Sequence, residues 1–288
     1  RLQRAGDQFF IIDNLSQVDS KPDLIHTSAI LGIEDRVCQR IFERFKFEAV
    51  IHLAAQTNVV ESEKDPYADA QANILGLINI LHLSRIYGVR RFVFSSSAAV
   101  YGDNPQIPLG EESQRQPKSA YGLSKLVGEM YCRQWWKLYE LATVCLRLSN
   151  VYGPGQSTCG EGGVVTNFLN KALKGQELVI YGDGSQTRDF IYVKDVAEAI
   201  YQATHSDITG VYNVSSNTRI SINQIVSDIR GMVPLCGVVH AEPLPGEVIH
   251  SQLDNTRIGD CLGWSPQHSW EEGLRQTLEW FRGPLKIR

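Results

Sequence analysis

The chain has 288 residues, of which 43% are hydrophobic, 21% charged and 9% aromatic. That is ample material for a sizeable core and excludes a disordered tail or a disulfide-stapled miniprotein. Its 28 Lys and Arg against 32 Asp and Glu give a formal net charge of -4 with no basic run, which argues against nucleic-acid binding through phosphate contacts.

In chain order, the first element is Phe9-Phe10-Ile11-Ile12-Asp13, an apolar run that ends in an acid and predicts a parallel strand with its exit loop at Asn14-Leu15-Ser16. A helix is expected over 36–45. A second strand, Ala49 to Leu53, runs into Ala54-Ala55, small residues that let a ligand approach the backbone. The segment 66–87, with Pro66 in its first turn, reads as a helix. Its apolar stretch is broken by Asn73, Asn79, His82 and Arg85, so it is a buried helix and no membrane span. A third strand, Arg91 to Phe94, leads into Ser95-Ser96-Ser97; a helix follows over 120–139, and a fourth strand, Ala142 to Leu148, ends near Ser149-Asn150.

Strands alternating with helices predict an α/β fold with a doubly wound parallel sheet. Ligands bind such sheets beyond the carboxyl ends of the strands, where Asp13, Ala54-Ala55, Ser97 and Asn150 all fall. After Gly153-Pro154-Gly155 the rhythm changes to Gly-rich loops, shorter strands and a final helix over 269–281. Residues 1–152 are therefore expected to hold a cofactor and 153–288 to form a smaller lobe for the substrate. The six cysteines, at 38, 132, 145, 159, 236 and 261, form no Cys-x-x-Cys pair or Cys/His cluster; no metal site is expected, and reduced thiols of a cytoplasmic protein are the default. No secretory signal is visible.

Tyr121 and Lys125 lie four residues apart on the predicted helix 120–139, hence on one face. An ammonium beside a phenol favours the phenolate, which makes Tyr121 a candidate base with a lowered pKa. Alone, such a pair is a weak signal that a helix surface also produces. Its context is more specific. With Asp13-Asn14-Leu15-Ser16, His52-Leu53-Ala54-Ala55-Gln56, Phe94 to Gly102, Arg147 to Pro154 and Tyr181 to Phe190, the chain resembles the extended short-chain dehydrogenase/reductases, and among them the NAD-dependent nucleotide-sugar epimerases and dehydratases, over essentially its whole length.

The resemblance implies a Rossmann-type fold and assigns roles by position. Ser97 would bind the sugar hydroxyl, Tyr121 would be the base, and Lys125 would hold the nicotinamide ribose. NAD would be held by Asp13, Asn14, Leu53, Ala54, Ala55, Tyr121 and Lys125, with Asp13 on the adenosine ribose disfavouring a 2'-phosphate. Asn150 and Arg188 would contact the nucleotide diphosphate and Ser251 would border the sugar. Related dehydratases carry Asp-Glu after the Ser, because loss of water needs an acid and a base; this chain has Ala98-Ala99, so C4 epimerisation of a UDP-hexose or UDP-N-acetylhexosamine through a 4-keto sugar is the expected reaction. The alternatives are a nucleotide-sugar reductase or dehydratase, and a catalytically impaired sugar-nucleotide-binding protein.

The chain also departs from the family pattern. The family's first strand and Gly-x-x-Gly-x-x-Gly turn, which hold the pyrophosphate, are absent from this sequence. Two unpaired buried sheet edges and weak NAD binding by these 288 residues are expected in consequence. Gly32 stands where an Asp usually meets adenine, Leu244 where an Arg commonly clamps the diphosphate, and Ser149 where an aromatic is common. Ser251 is small where epimerases confined to non-acetylated hexoses carry Tyr, implying a roomier pocket. His52 reads as a packed strand-end residue rather than a base. The helices over 66–87 and 120–139 form the dimer bundle in relatives, so a homodimer is implied by resemblance.

Overall fold

The computed structural model describes residues 1–16, 28–158, 163–234, 237–243 and 248–283. A one-turn helix α1 (Leu2–Ala5) precedes β1 (Ile11–Asp13), which pairs in parallel with β2 (Ser28–Ile30) as a sheet of its own. Then come α2 (Cys38–Arg44), β3 (Ala49–His52), α3 (Val59–Lys64) and α4 (Pro66–Ala70), which passes through a π-helical turn, Gln71–Leu75, into α5 (Gly76–Ile86). β4 (Arg91–Ser97), a 3-10 turn over Ala98–Tyr101, α6 (Ala120–Tyr139) and β5 (Ala142–Leu148) complete the first half.

The second half contains β6 (Asn150–Tyr152), α7 (Val164–Leu173), β7 (Leu178–Tyr181), β8 (Thr187–Arg188), β9 (Phe190–Tyr192), α8 (Val193–Thr204) and β10 (Gly210–Val214). It ends with β11 (Ile220–Ser221), α9 (Ile222–Met232), β12 (Val238–Ala241), α10 (Thr256–Leu262) and α11 (Trp270–Arg282). The main sheet runs β10-β5-β4-β3, all parallel. Its β10 comes from the second half of the chain.

The sheet is covered on both faces, as continuous apolar strands require. Phe92 and Phe94 of β4 pack with Leu77, Leu81 and Cys132 of α5 and α6, while Val93 and Val144 face Val196, Ala199 and Ala203 of α8. A third core, with Leu169, Leu178, Ile225 and Leu278, lies wholly within the second half. Among the described residues no strand pairs with the outer edge of β3, and β1 and β2 stand apart from it.

The placing of α6 matters most for the site. Its Ser119 cap accepts the Gly122 N–H at 3.0 Å, and the two preceding N–H groups are taken by side chains of α3: Tyr121 N donates to Ser62 Oγ (3.1 Å) and Ala120 N to Glu63 Oε1 (2.7 Å). Two glycines then let the helix lie close. A Cβ on Gly122 would stand 2.7 Å from the Ala99 carbonyl oxygen, and one on Gly128 2.6 Å from the Phe94 ring.

Candidate active site

The carboxyl end of β4 and the first turns of α6 form one wall of a crevice. Ser97, in extended conformation, is the last residue of β4 and caps the 3-10 turn by accepting the Ala99 N–H at 3.1 Å. Tyr121 faces it from α6, close enough that the Ser97 hydroxyl opposes the rise of the phenol's pKa. Lys125 is buried, one turn on; its Nζ donates to the Ser95 carbonyl at 2.9 Å and stands 5.8 Å from the centre of the Tyr121 ring. The structure thus brings Ser97, Tyr121 and Lys125 together.

The electrostatics differ from the sequence expectation. Burial pushes the Tyr121 phenol above its ordinary value, the Ser97 hydroxyl opposes the rise, and the Asp69 carboxylate adds to it. Lys125 does not lower it in the protein alone. Burial also acts on Lys125 itself, pushing its amine down to about 8 against the pull of Asp69. The prediction of a lowered Tyr121 pKa weighed a neighbouring charge without the desolvation that both groups undergo.

Asp69 belongs to a polar cluster that the sequence reading missed. It is 1% exposed and accepts from Asn73 Nδ2 at 2.9 Å and from Gln56 Nε2 at 3.2 Å. Asn73 also reaches Ser124 Oγ (3.1 Å) and exchanges two hydrogen bonds with the Gln56 backbone, at 2.8 and 2.9 Å. This knot ties the loop after β3, with Ala54 and Ala55, to α6. Its one signal in the sequence is an Asp/Asn pair four apart within an apolar helix. Burial raises the Asp69 carboxyl, with hydrogen bonds from Ser124 and Asn73 and the charge of Lys125 opposing.

His52 is buried, stacked on Phe92 and tilted against Phe94, with ring centres 5.7 and 5.9 Å away. Burial, helped by Lys125, pushes it down to about 3, so it is a neutral packed residue across the physiological range. Leu53 beyond it is exposed and Ala54 and Ala55 are half-buried. Asp13 and Asn14 are exposed at the end of β1, where their carboxylate and amide oxygens accept the Leu15 and Ser16 N–H groups at 2.7 and 3.0 Å. Gly32, just past β2, has no side chain to offer adenine.

Ser97 sits opposite Leu148 in the β4–β5 register, so Asn150 leaves the sheet beside it. Asn150 is exposed, and its N–H donates to the Asp189 carbonyl at 2.9 Å. Arg188 is half-buried, with Nη1 on the Thr187 and Ile249 carbonyls at 3.0 and 3.3 Å. The Ser251 N–H donates to the Thr187 carbonyl at 3.1 Å. Asn150, Arg188 and Ser251 thus gather around residues 187–189. Asp189 itself is fully buried and pushed up to about 6 by burial, although it accepts from Leu253 N and from the Ser216 N–H and hydroxyl. Leu244 lies outside the described residues.

The groups at these strand ends are of the kinds that hold NAD: a buried ammonium and a half-buried phenol on α6, small Ala54 and Ala55 after β3, and an exposed acid at the end of β1, in the separate β1–β2 sheet. Among the described residues no group of His, Cys, Asp and Glu could hold a metal ion, and no helix is long and apolar enough to cross a membrane.

Comparison with known proteins agrees with this geometry. The chain is 37% identical over 279 residues to a putative UDP-glucose 4-epimerase of Methanocaldococcus jannaschii, covering 94% of this chain and 90% of that protein. Its fold matches the UDP-glucose 4-epimerase of Thermotoga maritima solved with UDP-glucose, at a TM-score of 0.94 and 37% identity over 98% of this chain and 93% of that one. It also matches the Thermus thermophilus UDP-glucose 4-epimerase solved with NAD, at a TM-score of 0.92 and 34% identity over 99% and 94% of the two chains. Residues 1–215 match the family model for NAD dependent epimerases and dehydratases. The chain therefore belongs to the NAD dependent epimerase/dehydratase family.

Proposed function

We propose that the protein is an NAD-dependent epimerase that inverts C4 of a nucleotide sugar through a 4-keto intermediate. The observation that carries this reading is the convergence of Ser97, Tyr121 and Lys125 at the end of β4, followed by Ala98 and Ala99. NAD, when bound, supplies the two-electron acceptor and donor at C4. Ser97 holds the C4 hydroxyl, and Tyr121, a protonated phenol in the protein alone, would take its proton as the phenolate that the charge of bound NAD beside Lys125 favours, then return it after the keto sugar has turned its other face. Lys125, pinned by the Ser95 carbonyl, holds the nicotinamide ribose; Asp13 and Asn14 hold the adenosine end, and Leu53, Ala54 and Ala55 line the path between them. Neither Ala98 nor Ala99 can donate or accept a proton, so nothing at that position drives loss of water.

Asn150 and Arg188 contact the diphosphate, Arg188 as a planar cation suited to phosphate oxygens. With small Ser251 at its border, the sugar pocket admits an N-acetylhexosamine as well as a hexose. In this reading residues 1–152 chiefly hold NAD and 153–288 the sugar nucleotide. Two copies pair through α5 and α6, a proposal supported by exposed Leu75, Ile86, Leu123, Met130 and Leu138 on those helices and the turn before them. Free thiols at Cys38, Cys132, Cys145 and Cys261 support a cytoplasmic location.

The test is conversion of UDP-glucose to UDP-galactose, and of their N-acetyl counterparts, with NAD in large excess, because weak NAD binding is expected of these 288 residues. Epimer formation without released keto sugar or net cofactor reduction is expected, and Tyr121→Phe is expected to lower kcat about 100- to 10,000-fold. Net cofactor turnover or a released 4-keto product identifies a reductase or dehydratase; an unchanged Tyr121→Phe variant that still binds sugar nucleotide identifies a binding protein.

A further inference from the structure

Three side chains leave one stripe of α6 at four-residue intervals: Tyr121, Lys125 and Glu129. They meet three successive residues of β4. Tyr121 faces Ser97, Lys125 donates to the Ser95 carbonyl at 2.9 Å, and Glu129 Oε1 accepts the Ser96 hydroxyl at 2.6 Å. Glu129 is gripped in turn by Arg147 of β5, with Nε to Oε1 at 2.8 Å and Nη2 to Oε2 at 2.7 Å. The two side chains are only 4% and 1% exposed.

The remaining arm of the guanidinium points the other way. Arg147 Nη1 donates to the Tyr101 hydroxyl at 2.8 Å and to the Glu111 carbonyl at 2.9 Å. Tyr101, at the end of the turn after Ser97, donates to Asn213 Oδ1 on β10 at 2.7 Å. The Asn213 amide then reaches the Asp254 carbonyl at 3.0 Å. One unbroken line of hydrogen bonds joins the helix that carries Tyr121 to the segment that carries Ser251.

An ion pair at this depth is a poor device for stability, because apolar side chains of equal volume avoid the cost of stripping water from two charges. What the bidentate fork offers instead is a single geometry. Apolar packing alone tolerates small slips of a helix along a strand, and a misplacement of about 1 Å at reacting atoms costs on the order of a hundredfold in rate. We propose that Glu129 and Arg147 are positioning residues of the site, fixing Tyr121 against Ser97 and setting where the Ser251 segment meets them. The inference rests on the epimerase function proposed above.

The test compares NAD-loaded wild type with Arg147→Lys, which keeps the charge without the fork, and with the double variant Glu129→Met/Arg147→Leu, which fills the same space with apolar atoms. For the double variant, which leaves the Ser96 hydroxyl and the Glu111 carbonyl without these partners, the expectation is a cooperative thermal transition, a kcat lowered about tenfold or more, and a KM within about twofold. Its crystal structure is expected to show the Tyr121 and Ser97 hydroxyls about 1 Å or more farther apart than in the wild-type protein. A double variant with the wild-type kcat, or with those hydroxyls at their wild-type separation, overturns the inference. Should that variant not fold, Arg147→Lys decides alone: a lowered kcat supports the positioning role and a wild-type kcat refutes it. A wild-type protein that interconverts no 4-epimers fails before any variant is compared, and removes the proposed function and this inference together.

Discussion

At the scale of single residues, burial governs the candidate chemistry more than charge pairing does. Lys125 illustrates the sign. Its amine is pushed down from 10.5 to about 8, so between those values the unfolded chain binds more protons than the folded one, and stability rises with pH across that window. Against a Lys125→Met variant, the wild-type protein without NAD is expected to gain about 2 kcal/mol between about pH 7 and about pH 9.5, read by urea unfolding of both proteins. The sugar pocket supplies a second check: Ser251→Tyr is expected to lower kcat/KM for UDP-N-acetylglucosamine about tenfold or more while leaving UDP-glucose within about twofold. The Tyr121–Lys125 pair was legible from its four-residue helical spacing, and Ser97 beside it only from the family resemblance. Asp69 and Asn73 were not, since Ser124, which Asn73 meets, lies 51 residues away and no periodicity announces that meeting. The direction of the Tyr121 shift was missed for a related reason, because a sequence exposes neighbouring charges but not the water a side chain has lost.

At the scale of elements, the close approach of α6 to the turn after Ser97 depends on atoms that are not there. Gly122→Ala is expected to force its new methyl against the Ala99 carbonyl, a backbone group that cannot swing aside. The expected cost is about 1–3 kcal/mol of stability in denaturant unfolding and a kcat lowered about tenfold or more, as the turn and Tyr121 are driven apart. Strands β4 and β5 and helix α6 were readable because apolar runs and a Ser cap define them locally. The predicted helix over 66–87 is also present, but as two α-helices joined through a π-helical turn, a change of winding that leaves no mark on the apolar spacing. β10 was folded into the expected small lobe, since a run such as Gly210 to Val214 states that it is a strand without stating which sheet receives it.

At the scale of the whole molecule, the proposed pairing of two copies rests on the exposed apolar face of α5 and α6. Met130, 64% exposed, lies on that face, and Met130→Glu is expected to convert a dimer into a monomer in sedimentation analysis without unfolding the chain. Parallel α/β architecture was readable from the order of elements, and so was the shared direction of β3, β4 and β5, whose carboxyl ends lie along one edge of the main sheet. The threading of the chain through the molecule was not. Because β10 docks on β5, the part of the chain that begins beyond Gly153 supplies a border strand to the sheet laid down before it. The two halves are consequently not exchangeable modules: a fragment stopping at Gly153 would bare the backbone of β5, and a chimera that borrows another enzyme's sugar pocket must bring its own version of that strand along.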